Sequence, residues 1–308
     1  MNAISKRSRL KAVPPKAAAP SRSKCLVYGN PGVGKTWTAL DFPTVYFIDT
    51  EGGANLPHYT NKLDAAGGVY LGPAEGANDF ATVLDQVRAL AEEEHGFRTL
   101  VIDSISKLFN DTVAREADRI EQAGKKDEYG ASKKPAVAYM RRLVSWLTRL
   151  DMNVILNAHA KDEYAPSGAG ERQVIGRTFD CWDKLEYELD LCLQIEKRGA
   201  SRVAVVRKSR LEGFAPGSTM PWSYEEFAQR YGRDQLEAAA KALELATPDQ
   251  VGELRGLMET VRMPDGWLTK CLEKANVEVI EELTAEQIAK MIGLARERLN
   301  LTTERKEA

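Results

Sequence analysis

No apolar run in this chain approaches the ~20 residues that a membrane-spanning helix needs, and no signal-peptide pattern opens it. A cytoplasmic location with no membrane partner is therefore expected. Cysteine is scarce: Cys25, Cys181, Cys192 and Cys271 stand alone, with no C-x-x-C spacing. That excludes a zinc ribbon and a disulfide framework, and it fits a reducing compartment. The three histidines (His58, His95, His159) show no ligand spacing either, which argues against a zinc centre. Net charge is also lacking, at −2 over 308 residues. Binding nucleic acid through bulk charge alone is excluded; a local basic groove is not.

The near-zero total hides an asymmetry. Residues 1–24 hold seven basic side chains (Lys6, Arg7, Arg9, Lys11, Lys16, Arg22, Lys24), and the first acid is Asp41. Together with Pro14, Pro15, Pro20 and a run of alanines, this reads as a disordered basic arm over 1–22. It is either a solvated tail or an arm that binds a strand or a subunit.

The chain is organised around Gly29-Asn30-Pro31-Gly32-Val33-Gly34-Lys35-Thr36, a complete G-x-x-x-x-G-K-[ST] phosphate loop. An apolar strand (Cys25–Tyr28) precedes it and a helix from Thr36 to Leu40 follows. Its glycines permit positive φ and let backbone N–H groups approach phosphate oxygens. Lys35 is placed for the β- and γ-phosphates, and the Thr36 hydroxyl for Mg²⁺. A nucleoside triphosphate and Mg²⁺ are the expected ligands.

Further strands follow. Thr44–Ile48 ends in Asp49-Thr50-Glu51-Gly52-Gly53; Thr99–Ile102 ends in Asp103-Ser104; Asn153–Ala158 ends in His159. Ligands in open α/β sheets sit at the carboxyl ends of strands. Asp103 therefore reads as the carboxylate that holds Mg²⁺ with Thr36. Glu51 is the best-placed group to orient and activate an attacking water, or else a turn residue at a helix start. His159 admits three roles: metal ligand, ordinary loop histidine, or γ-phosphate sensor. Helices are expected over 78–94, over 108–120 and from Pro135, with loops at 54–68, 121–134 and 160–180. A hairpin across Lys197-Arg198-Gly199-Ala200 closes the series. The result is an α/β fold with a mainly parallel sheet and a C-terminal hairpin, over 23–232. A helix over Asp234–Leu245 then links the core to a small helical module at 247–302, within a C-terminal unit spanning 233–308. Capping boxes at Thr247–Gln250 and Thr284–Gln287 start two of its helices.

The phosphate loop, the strand–DTEGG segment, LVIDS, a polar residue at the next strand tip and a Gly-rich loop together resemble the RecA-family ATPase core, over about 23–215. The resemblance implies that Glu51 is the catalytic glutamate and Asp103 the Walker B carboxylate. It places the sensor at His159, where relatives usually carry glutamine, and DNA-binding loops at 121–134 and 160–180. Lys208-Ser209-Arg210 looks like the basic segment that, in RadA-like and DnaB-type relatives, acts on the nucleotide of a neighbouring subunit. The whole is most similar to short phage-encoded RecA-like ATPases of single-strand annealing and recombination. That implies an ATPase stimulated by single-stranded DNA and assembled as a filament or ring, with a possible protein partner for the helical module. A helicase loader, a packaging motor and a non-motor P-loop enzyme such as a nucleoside kinase are the alternatives.

Overall fold

The computed structural model describes residues 22–165, 173–261 and 263–307. Its first half runs β1 (Lys24–Gly29), α1 (Lys35–Ala39), β2 (Val45–Asp49), α2 (Pro57–Ala65), β3 (Val69–Leu71), α3 (Phe80–Glu92), β4 (Thr99–Asp103), α4 (Ile105–Gln122) and α5 (Lys133–Arg149). Next come β5 (Asn153–Tyr164), β6 (Val174–Phe179), α6 (Leu185–Glu188), β7 (Leu191–Arg198), β8 (Ser201–Ser209) and β9 (Thr219–Pro221). The chain ends in helices α7 (Tyr224–Tyr231), α8 (Arg233–Glu237), α9 (Pro248–Thr260), α10 (Trp267–Ala275) and α11 (Ala285–Glu307).

Nine strands form one sheet among the described residues, in the order β3-β2-β4-β5-β1-β7-β8-β9, with β6 paired to β5 outside that path. From β3 to β7 every pairing is parallel; β8 and β9 return antiparallel. The mainly parallel α/β sheet and its hairpin are as the sequence led one to expect. β1, buried at all six positions, lies at its centre. Apolar side chains leave both faces of the strands, as a doubly covered sheet requires. Leu26, Leu100, Ile102, Val154 and Leu156 meet α3, α4 and α5 on one face. Cys25, Val27, Phe47, Val101 and Ile155 meet α1, α2, α7 and α8 on the other.

Several expectations give way to tertiary contacts. The expected loop at 54–68 contains α2, started by a proline at its first position. The expected loop at 160–180 is largely a two-stranded ribbon. β5 runs on for six residues beyond Ala158 and pairs with β6, Asp162 standing opposite Arg177. A ribbon with both faces in solvent lacks the alternation that marks a half-buried strand, which is why it read as loop. Its Gly168, Gly170 and Arg172 lie outside the described residues. The Asp234–Leu245 helix stops at Glu237. Beyond it the chain extends, because Leu243 N–H bonds to Ala91 O (2.7 Å), Leu245 bridges Thr284, and Ala240, Leu243 and Leu245 pack on the core. Packing overrides the helical propensity of that alanine-rich stretch.

Residues 1–21 of the expected arm lie outside the described residues. Arg22 and Lys24, counted among its basic side chains, do not belong to it. Arg22 is buried, pairing with Asp151 at 2.9 Å and donating to the carbonyls of Gln235 and Ala239. The Lys24 ammonium donates to Leu150 O and Met152 O, both at 2.6 Å, and burial pushes its pKa down to about 7. Both capping boxes are present, with Gln250 and Gln287 N–H groups 3.2 Å from the Thr247 and Thr284 hydroxyls. The helices they start pack around Leu254, Leu283 and Ile288, apart from the two sheet faces.

Candidate nucleotide-binding and catalytic site

Parallel register assembles the site. Gly29 stands level with His159, Asp103 with Asn157, and Asp49 with Asp103. The loop leaves β1 and turns into α1 through Gly32 (φ 75°) and Gly34 (φ 88°), conformations that a side chain would strain. Lys35 Nζ donates to Gly29 O at 2.9 Å and Asn30 O at 3.2 Å, so the cation is folded back over the loop. Burial lowers its pKa, opposed by the charges of Asp103 and Glu51.

Thr36 and Asp103 meet directly, the threonine hydroxyl donating to Asp103 Oδ2. Asn157 Nδ2 donates to the same oxygen at 3.0 Å. Burial raises the Asp103 pKa, against those two hydrogen bonds and the charge of Lys35. A hydroxyl and one carboxylate are hard oxygen donors, and Mg²⁺ commonly takes one or two carboxylates together with substrate phosphate and water. The donor set fits Mg²⁺. Among the described residues no cluster of three or more His, Cys, Asp or Glu could cage a metal by protein alone.

Asp49 builds the platform for Glu51. It is buried, and its carboxylate accepts from the N–H groups of Glu51 (3.1 Å), Gly52 (2.8 Å) and Ala54 (2.8 Å) and from Tyr70 OH (3.0 Å). The next residue, Thr50, ties the tips of β2 and β4 together. Its N–H bonds to Asp103 O, while its hydroxyl donates to Ser104 O and accepts from Ser104 N–H. Ser104, joined to Asp103 by a cis peptide bond, starts α4 by accepting from Lys107 N–H and donates its own hydroxyl to Glu51. His159 closes the group: its Nε2 lies 2.7 Å from Glu51 Oε1 and 3.3 Å from Ser104 Oγ. The hydrogen bond from His159 holds the Glu51 carboxyl down at about 2, and the same bond raises the histidine.

The structure thus brings together Gly29–Thr36, Glu51, Asp103 and His159. It sets Lys208 and Arg210 apart. β8 runs antiparallel to β7, so its start lies beside the phosphate loop and its end at the opposite edge of the sheet. There Lys208 donates to Leu189 O and Arg210 to Tyr187 O, and burial lowers the Lys208 pKa. Neither reaches the loop of its own chain.

Two features went unread in the sequence, and a third, Arg177, was read only as a basic residue of the 160–180 loop. Asn157, a lone amide inside an apolar strand, was legible in principle, since a buried polar group needs a partner. Trp37 is 41% exposed beside the loop, with Tyr59 and His58 rings 5.7 and 6.2 Å away and Lys62 Nζ 3.9 Å over its face. Arg177, on the ribbon, donates to Asn30 Oδ1 at 3.0 Å and lines a cavity of about 640 Å³ with Gly29–Val33, Gln194 and Lys197.

A family model described as an AAA domain matches residues 21–214. The chain belongs to that family. The match spans β1 to the end of the β7–β8 hairpin, so the AAA domain contains every residue of the site just described. Among solved structures the chain is similar to a RadB recombinase, at 14% identity and a TM-score of 0.41, over 65% of this chain and 86% of that one. No curated protein matches it.

Two outcomes are expected. Lys35→Ala should abolish nucleotide binding in isothermal titration, because the phosphate charge loses its cation, whereas Glu51→Gln should bind normally and lose phosphate release. Normal turnover in Glu51→Gln would place the catalytic carboxylate elsewhere. The second concerns pH. The Glu51 pKa is lowered, so its share of the ion pair is present above the ordinary carboxylate value and is lost only as pH falls towards about 2. The His159 pKa is raised, so its share is complete below the ordinary histidine value and is lost as pH rises through the raised one. An NMR titration should find His159 titrating above the usual histidine range, and Glu51→Gln should bring it down, leaving burial and Lys35 to depress it against the charge of Asp103.

Proposed function

We propose that this AAA domain hydrolyses ATP and acts on single-stranded DNA as a self-assembling protein of the phage annealing and recombination type. The carrying observation is the segment between α4 and α5. Tyr129 is fully exposed there, in a left-handed backbone conformation (φ 54°), among Lys125, Lys126, Lys133 and Lys134. Asp127 shapes the turn by accepting from the Ser132 N–H (3.0 Å) and hydroxyl (2.6 Å). An aromatic ring presented to solvent among lysines suits stacking on a base while the cations follow the backbone. α4 connects this segment to the site, since its N-cap Ser104 is also the hydrogen-bond donor to Glu51.

In this reading the loop amides and Lys35 hold the phosphates, and Trp37 and Tyr59 offer a surface for the base. Mg²⁺, held by Thr36 and Asp103, would neutralise charge on the transferred phosphoryl group. Glu51 as it stands is a weak base, because a general base works best with a pKa near the working pH. Paired with His159 it orients a water. Drawing the imidazolium towards the γ-phosphate raises the basicity of the carboxylate, which gives His159 its sensor role. Lys208 and Arg210, remote from their own loop, serve a neighbour's nucleotide across a subunit boundary in a filament or ring. The helical module, held to α5 by Arg142 with Glu278 and Glu282, offers its remaining surface to a protein partner.

Two experiments test this. Neutralising Lys125, Lys126, Lys133 and Lys134 should weaken binding to oligonucleotides of any sequence and flatten its salt dependence, while Tyr129→Ala should cost about 1–3 kcal/mol at constant salt. Unchanged affinity at every salt concentration removes the segment from the DNA site. For assembly, Arg210→Ala should bind ATP yet hydrolyse it poorly, and it should gain activity when Lys35→Ala subunits, with intact cations and a dead loop, are mixed in. Full activity of Arg210→Ala alone would rule out action in trans.

A further inference from the structure

The start of β8 carries an arginine that the site described so far does not use. Arg202 stands opposite Lys197 in the hairpin, two residues before Ala204, which faces Ile195; Ile195 in turn lies level with Gly29 of the phosphate loop. That register puts Arg202 just past the carboxyl end of β1, on the side where the loop rises. Its side chain lies against the loop itself. A Cβ placed on Gly34 would meet Arg202 Nε at 2.4 Å and Cδ at 2.6 Å. The space that any other residue at position 34 would fill is thus taken by the stem and guanidinium of Arg202. The backbone of Arg202 is fixed, its carbonyl accepting from Trp222 N–H at 2.9 Å. The guanidinium is exposed and makes no hydrogen bond, ion pair or ring contact among the described residues. Its neighbour in the hairpin, Arg198, is by contrast held by Glu196 at 2.9 Å.

An arginine presents five N–H donors in a planar fork that matches phosphate oxygens. Here that fork is held against the glycine that precedes Lys35 and is left without an acceptor. We propose that Arg202 is a phosphate-binding residue of the site, clamping the α- and β-phosphates of the nucleotide from the β8 side. This rests on the reading of the site as one for ATP. The choice of phosphates follows from position. The backbone of such a loop cradles the α- and β-phosphates, while its lysine reaches the β- and γ-phosphates. Arg202 packs on the backbone, at Gly34, and so meets the part of the chain that ATP and ADP share. Lys35 and Arg202 then grip the nucleotide from two directions. Glycine at position 34 has two reasons: its positive φ, and the room that the arginine needs.

The test is isothermal titration of ADP and of a non-hydrolysable ATP analogue into wild type, Arg202→Ala and Arg202→Lys, with steady-state hydrolysis beside it. Arg202→Ala should weaken ADP and the analogue by the same factor, on the order of tenfold or more for a lost charge-assisted contact. Arg202→Lys should recover part of the loss, as a point charge without the fork. In hydrolysis the loss should fall on KM rather than on kcat, the mark of binding shared by ground and transition states. Thermal melting without nucleotide should change little, because the exposed side chain has no hydrogen-bonding or ionic partner to lose. If wild type binds both nucleotides and Arg202→Ala binds them equally well, the assignment of Arg202 is overturned and the ATP site stands. A loss confined to the ATP analogue, or to kcat, overturns the assignment to the shared phosphates. Wild type that binds neither nucleotide overturns the ATP reading and this one with it.

Discussion

Everything at this site depends on one constraint, the parallel register of β2, β4, β5 and β1. Strands in register end together, so Asp49, Asp103, Asn157 and the Gly29–His159 level form one edge. A slip of one residue in any pairing would turn that strand's side chains to the other face. Asp103 would then leave Thr36, and His159 would leave Glu51. The register is held by strands whose side chains are apolar on both faces, packed between two layers of helix. The core therefore sets the geometry of the site as well as stability, and the polar groups at the strand tips inherit their positions from it.

The tips add a second layer of control. Asp49, Thr50 and Ser104 satisfy one another and the backbone, leaving few free donors or acceptors around Glu51. Such a network is rigid when complete, since an unpaired polar group in this environment is costly. Asn157 Oδ1 is the exception at the site, buried with no partner. It sits on the amide that holds the Walker-type carboxylate, where a bound water or a reorganised ligand shell has a polar atom waiting for it.

What was legible in the sequence was whatever a local pattern dictates. The phosphate loop is read from glycines that need positive φ, the strands from short apolar runs, and the capping boxes from Thr–Gln spacing. Glu51, Asp103 and His159 were found because each follows such a run. What was not legible depended on contacts between distant segments. Arg22 looked like one more charge in a basic arm, and only Asp151 with the carbonyls of Gln235 and Ala239 makes it part of the core. The stretch after Glu237 has helical composition and is pulled straight by Ala91 and Leu283. Lys208 and Arg210 were placed by likeness, and sequence could not say which edge of the sheet they occupy, because that follows from the antiparallel return of β8.

The length of β5 has a mechanical consequence. It is one strand of 12 residues, with its first six buried in the sheet and the rest in the solvent-exposed ribbon. His159 sits at the fulcrum. Five residues further on, at about 3.3 Å each, Tyr164 lies roughly 17 Å along the arm. The inner half is clamped between β1 and β4, while the outer half pairs with β6 and is tied to β8 by the Glu163–Arg207 ion pair at 3.4 Å. A tilt of about 10° at the fulcrum would carry the far end through about 3 Å, several times the displacement at the histidine itself. Rearrangements too small to disturb the core are thus magnified where the ribbon meets whatever lies beyond it.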